Sequence, residues 1–314
     1  MTKNDFPFSD GFKRYYTRDY YLKKTFGEKV AKLPVDAGFT CPNIDGTKGY
    51  GGCIYCSSRG GGDFAALPSV PVTKQLEQMK ALQKQKWDAH KFIAYFQAHT
   101  NTYADPSRLE ELYNEALSFD GVVGLSVSTR PDCVTEEIAD LLKSFSEKTH
   151  LVVELGLQSR YDETARLINR CHTYDDFVRG FELLRERGIR VCVHIIDGLP
   201  GEDRAMMVGT AEAVAELHPE LIKIHLLHVL KNTALAKMYE RGGFEALTLE
   251  EYVSIVCDQL EVLPPDTVIE RVTGDGAKDD LIAPLWSLKK FVVINEIDKE
   301  MLRRGTYQGS RYAR

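Results

Sequence analysis

The chain has 314 residues, 43% of them apolar and 27% charged, the make-up of a soluble globular protein of one large or two modest domains. Forty Lys/Arg against 46 Asp/Glu give a formal charge of −6, which argues against a protein that coats nucleic acid by bulk electrostatics. No apolar run approaches the ~20 residues that span a bilayer, and Met1–Asp10 carries no apolar signal core, so the expected compartment is the cytoplasm with no membrane partner.

The charge is unevenly spread. Met1–Pro34 has eight Lys/Arg against four Asp/Glu, and Ser287–Arg314 has seven against three. Each end is therefore +4, and the chain between them carries −14. Two readings stand open: a grip for an anionic substrate, or a pair of solvated tails.

In chain order, residues 1–34 form an N-terminal basic and aromatic segment. It clusters Phe12, Tyr15, Tyr16, Tyr20 and Tyr21 and reads as a helix or two packed on the body. A short apolar segment, Leu33–Thr40, feeds the stretch Cys41–Cys56, CPNIDGTKGYGGCIYC. Its cysteines, Cys41, Cys53 and Cys56, follow a C-x11-C-x2-C pattern. Gly46, Gly49, Gly51 and Gly52 let the loop wrap closely around a bulky group. Three thiolates suit a metal centre that keeps one coordination position open. In a reducing compartment such a group is metal-binding or catalytic rather than a disulfide framework. The other four cysteines, Cys133, Cys171, Cys192 and Cys257, are scattered and read as small buried residues. Cys133 and Cys171 fall near the same rim.

Ser57–Gly62 is irregular, and Val72–Trp87 has helical spacing at Leu76, Met79 and Leu82. A regular alternation follows. Strands are expected at Lys91–Gln97, Val122–Ser128, Leu151–Leu157, Arg190–Ile196 and Leu221–Leu226. Helices are expected at Pro106–Ser118, Thr135–Phe145, Glu163–Asn169, Tyr174–Arg187, Ala205–Leu217 and Ala234–Arg241. With the run before the cysteines this makes six strand–helix units over residues 35–246. Near-continuous apolar strands with amphipathic helices between them imply a parallel sheet. Polar residues gather just after each strand, on the rim where β/α barrels build their sites. A doubly wound open sheet would give the same local pattern. Residues 247–314 break the rhythm with a helix at Leu249–Leu263, strand-like Thr267–Val272, the GDGAKDD loop and Phe291–Ile297. They read as a C-terminal α+β extension packed on the barrel.

Taken together the motifs resemble the radical S-adenosylmethionine (SAM) enzymes, and more narrowly the bacterial subgroup related to the catalytic subunit of Elongator. The resemblance runs over about Lys13–Trp286. It rests on Cys41…Cys53-Ile-Tyr-Cys56, Tyr95-Phe-Gln-Ala-His-Thr-Asn-Thr-Tyr-Ala104 and Ser128-Thr-Arg-Pro-Asp132. Then come Glu154-Leu-Gly-Leu-Gln-Ser159 with Ile168-Asn-Arg170, Gly198-Leu-Pro-Gly201 and Lys223-Ile-His-Leu-Leu-His228. Two departures stand out. The first cysteine gap is longer than the usual three residues, as in the Elongator-like subgroup. The Gly-Gly-Glu motif that commonly holds the SAM amino group is replaced by Gln97–Thr100.

The resemblance implies an α/β fold, a partial (β/α)6 radical SAM barrel, with a [4Fe–4S] cluster on Cys41, Cys53 and Cys56. SAM would chelate the fourth iron, and one electron from an external flavodoxin- or ferredoxin-like donor would cleave it to a hydrogen-abstracting 5′-deoxyadenosyl radical. Arg170 is the first choice for the SAM carboxylate and Arg130 the second. Ser128, Gln158 and His194 are candidates for the ribose hydroxyls, and Tyr55 and Leu226 for flanking the adenine. Gln97 and Glu154 complete the cofactor-binding set. Elongator relatives act on the wobble uridine of tRNA, so a tRNA side chain is the expected substrate; a small metabolite or a protein side chain is the alternative.

Blander readings accompany these. The cysteines could bind zinc in a regulatory module, with His90 or His99 as a fourth ligand. Glu154 could be a structural ion pair with Arg130. His194 could be a hydrogen-bonded core residue, His225 and His228 barrel-mouth or packing residues, and the tyrosine cluster core. No G-x-G-x-x-G opens the first unit and no phosphate-loop motif occurs, which argues against dinucleotide and NTP binding.

Overall fold

Strands that are apolar on both faces need cover on both faces, and helices wound over the outside of a curled sheet supply half of it. The computed structural model describes residues 6–9, 11–62, 65–84, 88–274, 276 and 278–313. The last three residues of the helix expected at Val72–Trp87, two of the GDGAKDD loop and six of the first ten residues lie outside that set.

Helix α1 (Arg18–Phe26) leads into β1 (Val30–Val35) and the cysteine loop. Then come α2 (Val72–Lys84), β2 (Lys91–Phe96), α3 (Pro106–Leu117), β3 (Val122–Thr129), α4 (Glu136–Ser146) and β4 (His150–Gln158). They are followed by α5 (Asp162–Leu167), α6 (Tyr174–Arg185), β5 (Arg190–Asp197), α7 (Arg204–Leu217), β6 (Leu221–Leu226), β7 (Val229–Leu230) and α8 (Ala234–Glu240). The remainder holds α9 (Leu249–Val262), β8 (Val268–Arg271), β9 (Leu281–Ala283) and α10 (Lys290–Arg303).

Seven strands form one parallel sheet in the order β1-β2-β3-β4-β5-β6-β8. The sheet curls into a half-barrel. Its two edge strands come close enough for Lys32 on β1 to reach Glu270 on β8 at 2.6 Å. The chain entering α1 lies against the β8 edge, where Ile269 donates its amide to Tyr16 O at 2.7 Å. The expected six strand–helix units are present, and the last third adds a seventh strand to the same sheet. The first strand forms upstream of the expected Leu33–Thr40, because alternate residues Lys32 and Pro34 line the barrel interior while Ala31, Leu33 and Val35 are buried in the outer core. Phe291–Ile297 lies within α10.

The outer core obeys helical spacing. α3 buries Leu109, Leu112, Tyr113 and Ala116; α4 buries Ile138, Ala139, Leu142 and Phe145; α6 buries Phe177, Gly180, Phe181 and Leu184. Each large side chain contributes about 1.5–3 kcal/mol of burial. Capping fixes where these helices start. The Asp105, Thr135 and Asp203 side chains accept from first-turn amides, and Thr173 forms a capping box with Asp176. The starts of α3, α4 and α7 are thereby fixed just beyond the rim. α6 presses closely on the short 3₁₀ turn Pro131–Cys133: a Cβ on Gly180 would stand 2.6 Å from Pro131 O. That contact holds the turn carrying Arg130 and Asp132.

Candidate active site

The C-terminal ends of the strands and the loops beyond them surround a cavity of about 780 Å³. All three loop cysteines and every candidate cofactor contact singled out above line it.

The cysteine loop is held from two sides. Its own backbone closes a turn in which the Ile44 and Asp45 amides donate to Cys41 O at 2.8 and 3.1 Å, and the Cys56 amide donates to Cys53 O at 3.0 Å. From the far side Asn169 Nδ2 donates to Tyr50 O at 3.1 Å and Gly52 O at 2.8 Å, while Asn43 Nδ2 reaches Asn169 O at 2.5 Å. Gly51 and Gly52 adopt φ of 78° and 73°, the left-handed region that glycine enters without strain. Neither asparagine was a candidate from sequence; the adjacent Arg170 was the only signal for Asn169.

Arg170 follows directly and is buried. Its Nη2 donates to Gly156 O at 2.7 Å and its Nη1 lies 3.7 Å from Cys53 Sγ. Gly156 makes this possible, since a Cβ there would meet Arg170 Nη2 at 2.5 Å. The hydrogen bond from Cys56, together with the guanidiniums of Arg170 and Arg130, holds the Cys53 thiol well below its usual value against the effect of burial. Thiolate is the form that ligates metal. Cys41, Cys53 and Cys56 are all free thiols. Among the described residues no three His, Cys, Asp or Glu side chains converge on a single-ion site; Cys53 and Cys56 are hydrogen-bonded to each other and Cys41 lines the same cavity.

Arg130 behaves differently. Its Nε and Nη2 form a two-pronged pair with Asp132, both at 3.0 Å. That fork holds Asp132 down to about 2 although burial pushes the other way. The expected pair between Glu154 and Arg130 does not form. Several polar atoms on the wall are buried without a hydrogen-bond partner: Arg130 Nη1, Arg170 Nε, Gln97 Nε2, His99 Nδ1 and Gln158 Oε1. Buried polar groups are ordinarily paired, so these mark a surface built to receive polar groups of a bound molecule. Gln158 reaches the wall through a break in register between β4 and β5 and a left-handed φ of 73°, a costly conformation for a residue other than glycine.

Deeper in the half-barrel lies a charged floor. Glu154 on β4 accepts from Lys32 on β1 at 2.7 Å, from His194 Nε2 on β5 at 2.8 Å, and from Lys223 on β6. Ser126 also donates to it, and Ser128 Oγ lies 3.4 Å away. Tyr95 on β2 stands among them. Its hydroxyl accepts from Ser128 at 3.0 Å and Lys223 at 3.1 Å, and burial pushes its pKa well up, so it stays protonated. Burial opposes charge on Glu154, but Lys223, Lys32 and His194 hold its pKa well below the carboxylate range. Burial pushes His194 down to about 4, so it stands neutral. The His225 ring lies 5.1 Å from that of His194, tilted by 49°. The two lysines were not candidates from sequence, although each interrupts an apolar strand, in VAKLPV and LIKIHL.

Tyr55 and Leu226 line the cavity near its cysteine end and its β6 end respectively; burial raises the Tyr55 hydroxyl well above its usual value. His99 is on the wall, whereas His90 lies at the opposite end of β2, exposed and 3.3 Å from Asp88. Tyr15 is buried in the core, and its residue also lines the cavity. Cys133 is buried, its thiol pushed up to about 12 by burial.

A model of the Radical SAM superfamily matches residues 47–214, starting between Cys41 and Cys53, and one of the Radical_SAM C-terminal domain matches residues 219–303. An uncharacterised Bacillus subtilis protein, YtqA, is 49% identical over 100% of this chain and 98% of its own. A Methanocaldococcus jannaschii tRNA uridine(34) acetyltransferase is 31% identical over 177 residues, 54% of this chain and 32% of its own. Among solved structures, Elp3 of the archaeon Methanocaldococcus infernus superposes with a TM-score of 0.66 at 21% identity, over 89% of this chain and 64% of that one. Methylornithine synthase superposes with a TM-score of 0.53 at 13% identity, over 94% of this chain and 87% of that one. Both share the curled parallel sheet. No helix among the described residues is long and apolar enough to cross a membrane.

Proposed function

The chain belongs to the radical SAM superfamily, and on that premise we propose that it is an enzyme that removes a hydrogen atom from the side chain of a wobble uridine in tRNA. The observation that carries the chemistry is the cavity wall, where three free thiols stand beside buried polar atoms that lack partners. This donor set fits a [4Fe–4S] cluster and SAM. Cys41, Cys53 and Cys56 would hold the cluster and leave one iron for the amino and carboxylate groups of SAM. When bound, the pair supplies one-electron cleavage of SAM and the power to abstract hydrogen.

The chain's own side chains orient and insulate. Arg170 keeps positive charge against Cys53 and has an unused Nε for the SAM carboxylate, whereas most of Arg130's fork is taken by Asp132. Gln97 occupies the place of the missing Gly-Gly-Glu motif; its side-chain oxygen would accept from the amino group, and its unpartnered amide nitrogen is left to donate to a SAM oxygen. Gln158 has an unpartnered Oε1 for a ribose hydroxyl; Ser128 and His194 are committed to the Glu154 cluster. Tyr55 and Leu226 would flank the adenine. Electrons would come from a flavodoxin- or ferredoxin-like protein.

Likeness to the tRNA uridine(34) acetyltransferase supports the substrate. The uridine is carried over and the acetyl transfer is not, because this chain matches only 32% of that protein. Anaerobic reconstitution with iron and sulfide tests the chemistry. It should give about four irons per chain and SAM-dependent release of 5′-deoxyadenosine, both lost in Cys53→Ala. A colourless protein with one zinc and no cleavage of SAM would overturn the proposal. Mass spectrometry of tRNA nucleosides with and without the gene tests the substrate. An unchanged wobble position would redirect the search to a metabolite or a protein side chain.

A further inference from the structure

The two basic ends of the sequence meet in space. Lys13 pairs with Asp298 at 2.5 Å, Arg14 Nη1 donates to Thr306 O at 3.2 Å, and Gln308 joins both neighbours. Its amide donates to Arg14 O at 2.9 Å and its Oε1 accepts from Tyr16 N at 2.8 Å. The joined ends form one wall of the cysteine cavity, to which Lys13, Arg18 and Lys290 contribute. Large apolar side chains stand uncovered on or just before the same segments: Phe291 is 74% exposed, Leu285 62%, Phe12 48% and Leu288 41%. Such a group of bare apolar side chains marks a contact surface rather than a solvent face. Cations are interleaved with the rings, as Phe12-Lys13 and as Lys289-Lys290-Phe291.

We infer that this wall docks single-stranded RNA, namely the loop of tRNA that presents its uridine to the cavity; the inference rests on the tRNA reading above. Unstacked bases lay their faces on aromatic rings, and phosphates take lysine and arginine. Phe12 and Phe291 are each next in sequence to a lysine of the cavity wall, Lys13 and Lys290, so rings and cations alternate beside the cavity and meet both needs at once. The chain's overall negative charge is no obstacle, because the wall itself carries Lys13, Arg18 and Lys290, with Lys289 exposed next in sequence. A second copy of the chain fits less well, since a two-fold pair would set this cationic face against itself. An acidic redox protein would satisfy the cations but leave the rings bare.

Fluorescence anisotropy with the full chain and a labelled tRNA anticodon stem-loop tests the inference at several salt concentrations. Phe291→Ala should weaken binding roughly tenfold, the factor for one lost base stack, with the salt slope retained. Lys289→Ala should lower that slope by about 1. Both variants should keep the wild-type melting temperature. If the wild-type chain binds no RNA, the tRNA reading falls and takes this surface with it. If the wild type binds RNA and both variants bind equally well, the surface assignment alone is overturned. Loss of self-association or of reduction by a flavodoxin, with RNA binding intact, also overturns it and names a different occupant.

Discussion

Glu154 carries the charge balance of the half-barrel floor. It stands against Lys32, Lys223 and His194 with a side chain fully shielded from solvent, and Glu270 shares Lys32 with it at 2.6 Å. Removing one member of a buried ionic cluster costs about 3–5 kcal/mol, because the remaining charges lose their partner. Glu154→Gln should therefore lower the unfolding free energy of the cofactor-free protein, read from urea unfolding, by that amount, and Glu154→Leu with Lys223→Met should recover part of the loss. An unchanged midpoint in Glu154→Gln would show that the lysines find other anions. At this scale the sequence was uneven. The cysteines, Arg170 and Glu154 stood in recognisable motifs. Lys32 did not, because a lysine in a short apolar run reads as a break in a strand until the curl of the sheet turns alternate residues inward.

Among elements, α6 shows how packing decides the sign of a substitution. Glycine within a helix costs about 1 kcal/mol relative to alanine, so Gly180→Ala should stabilise if nothing touched the site. The added Cβ would instead meet Pro131 O at 2.6 Å and Pro131 Cα at 2.9 Å. Backbone atoms of a 3₁₀ turn give way poorly, and overpacking costs about 1–3 kcal/mol. The net result expected is a loss. Gly209 in α7 is the control, since its Cβ would meet only the end of a side chain, Tyr161 Oη, at 2.7 Å. Gly209→Ala should therefore be near neutral. Urea midpoints of the two variants separate the cases, and a stabilised Gly180→Ala would mean that α6 does not fix the turn bearing Arg130. Elements with a long apolar stripe, such as α3, α4 and α6, were legible because spacing and caps agree. β8 was legible as a short strand but not as a sheet member: its four residues VIER carry Glu270 inward, and pairing with β6 is a long-range event that local pattern does not record.

For the whole molecule, pH reports how much neutral histidine the fold buries. Burial pushes His150 to about 4, His172 to about 3 and His194 to about 4, and holds His225 well below its usual value as well. The unfolded chain takes up protons near pH ~6.5, where these native histidines do not. Between that value and their folded values the unfolded state binds more protons, so stability falls as pH is lowered. Glu154 and Asp132 act later in the same direction, because their depressed folded values keep them charged until more acidic pH. Asp197 opposes them, because burial raises its folded value to about 8 and it is protonated in the fold where the unfolded chain is not. The stability of the cofactor-free protein, from urea unfolding at pH 7, 6, 5 and 4, should therefore decline with a net slope of about three protons rather than the histidines' four. His150→Asn should remove one of them. His150 opens β4 at the end of the sheet away from the cysteines, so this change leaves the cavity wall in place. A flat profile from pH 6.5 to 4 would mean that these rings are protonated in the native protein, and that the Glu154 cluster carries an added positive charge the present hydrogen bonds do not balance.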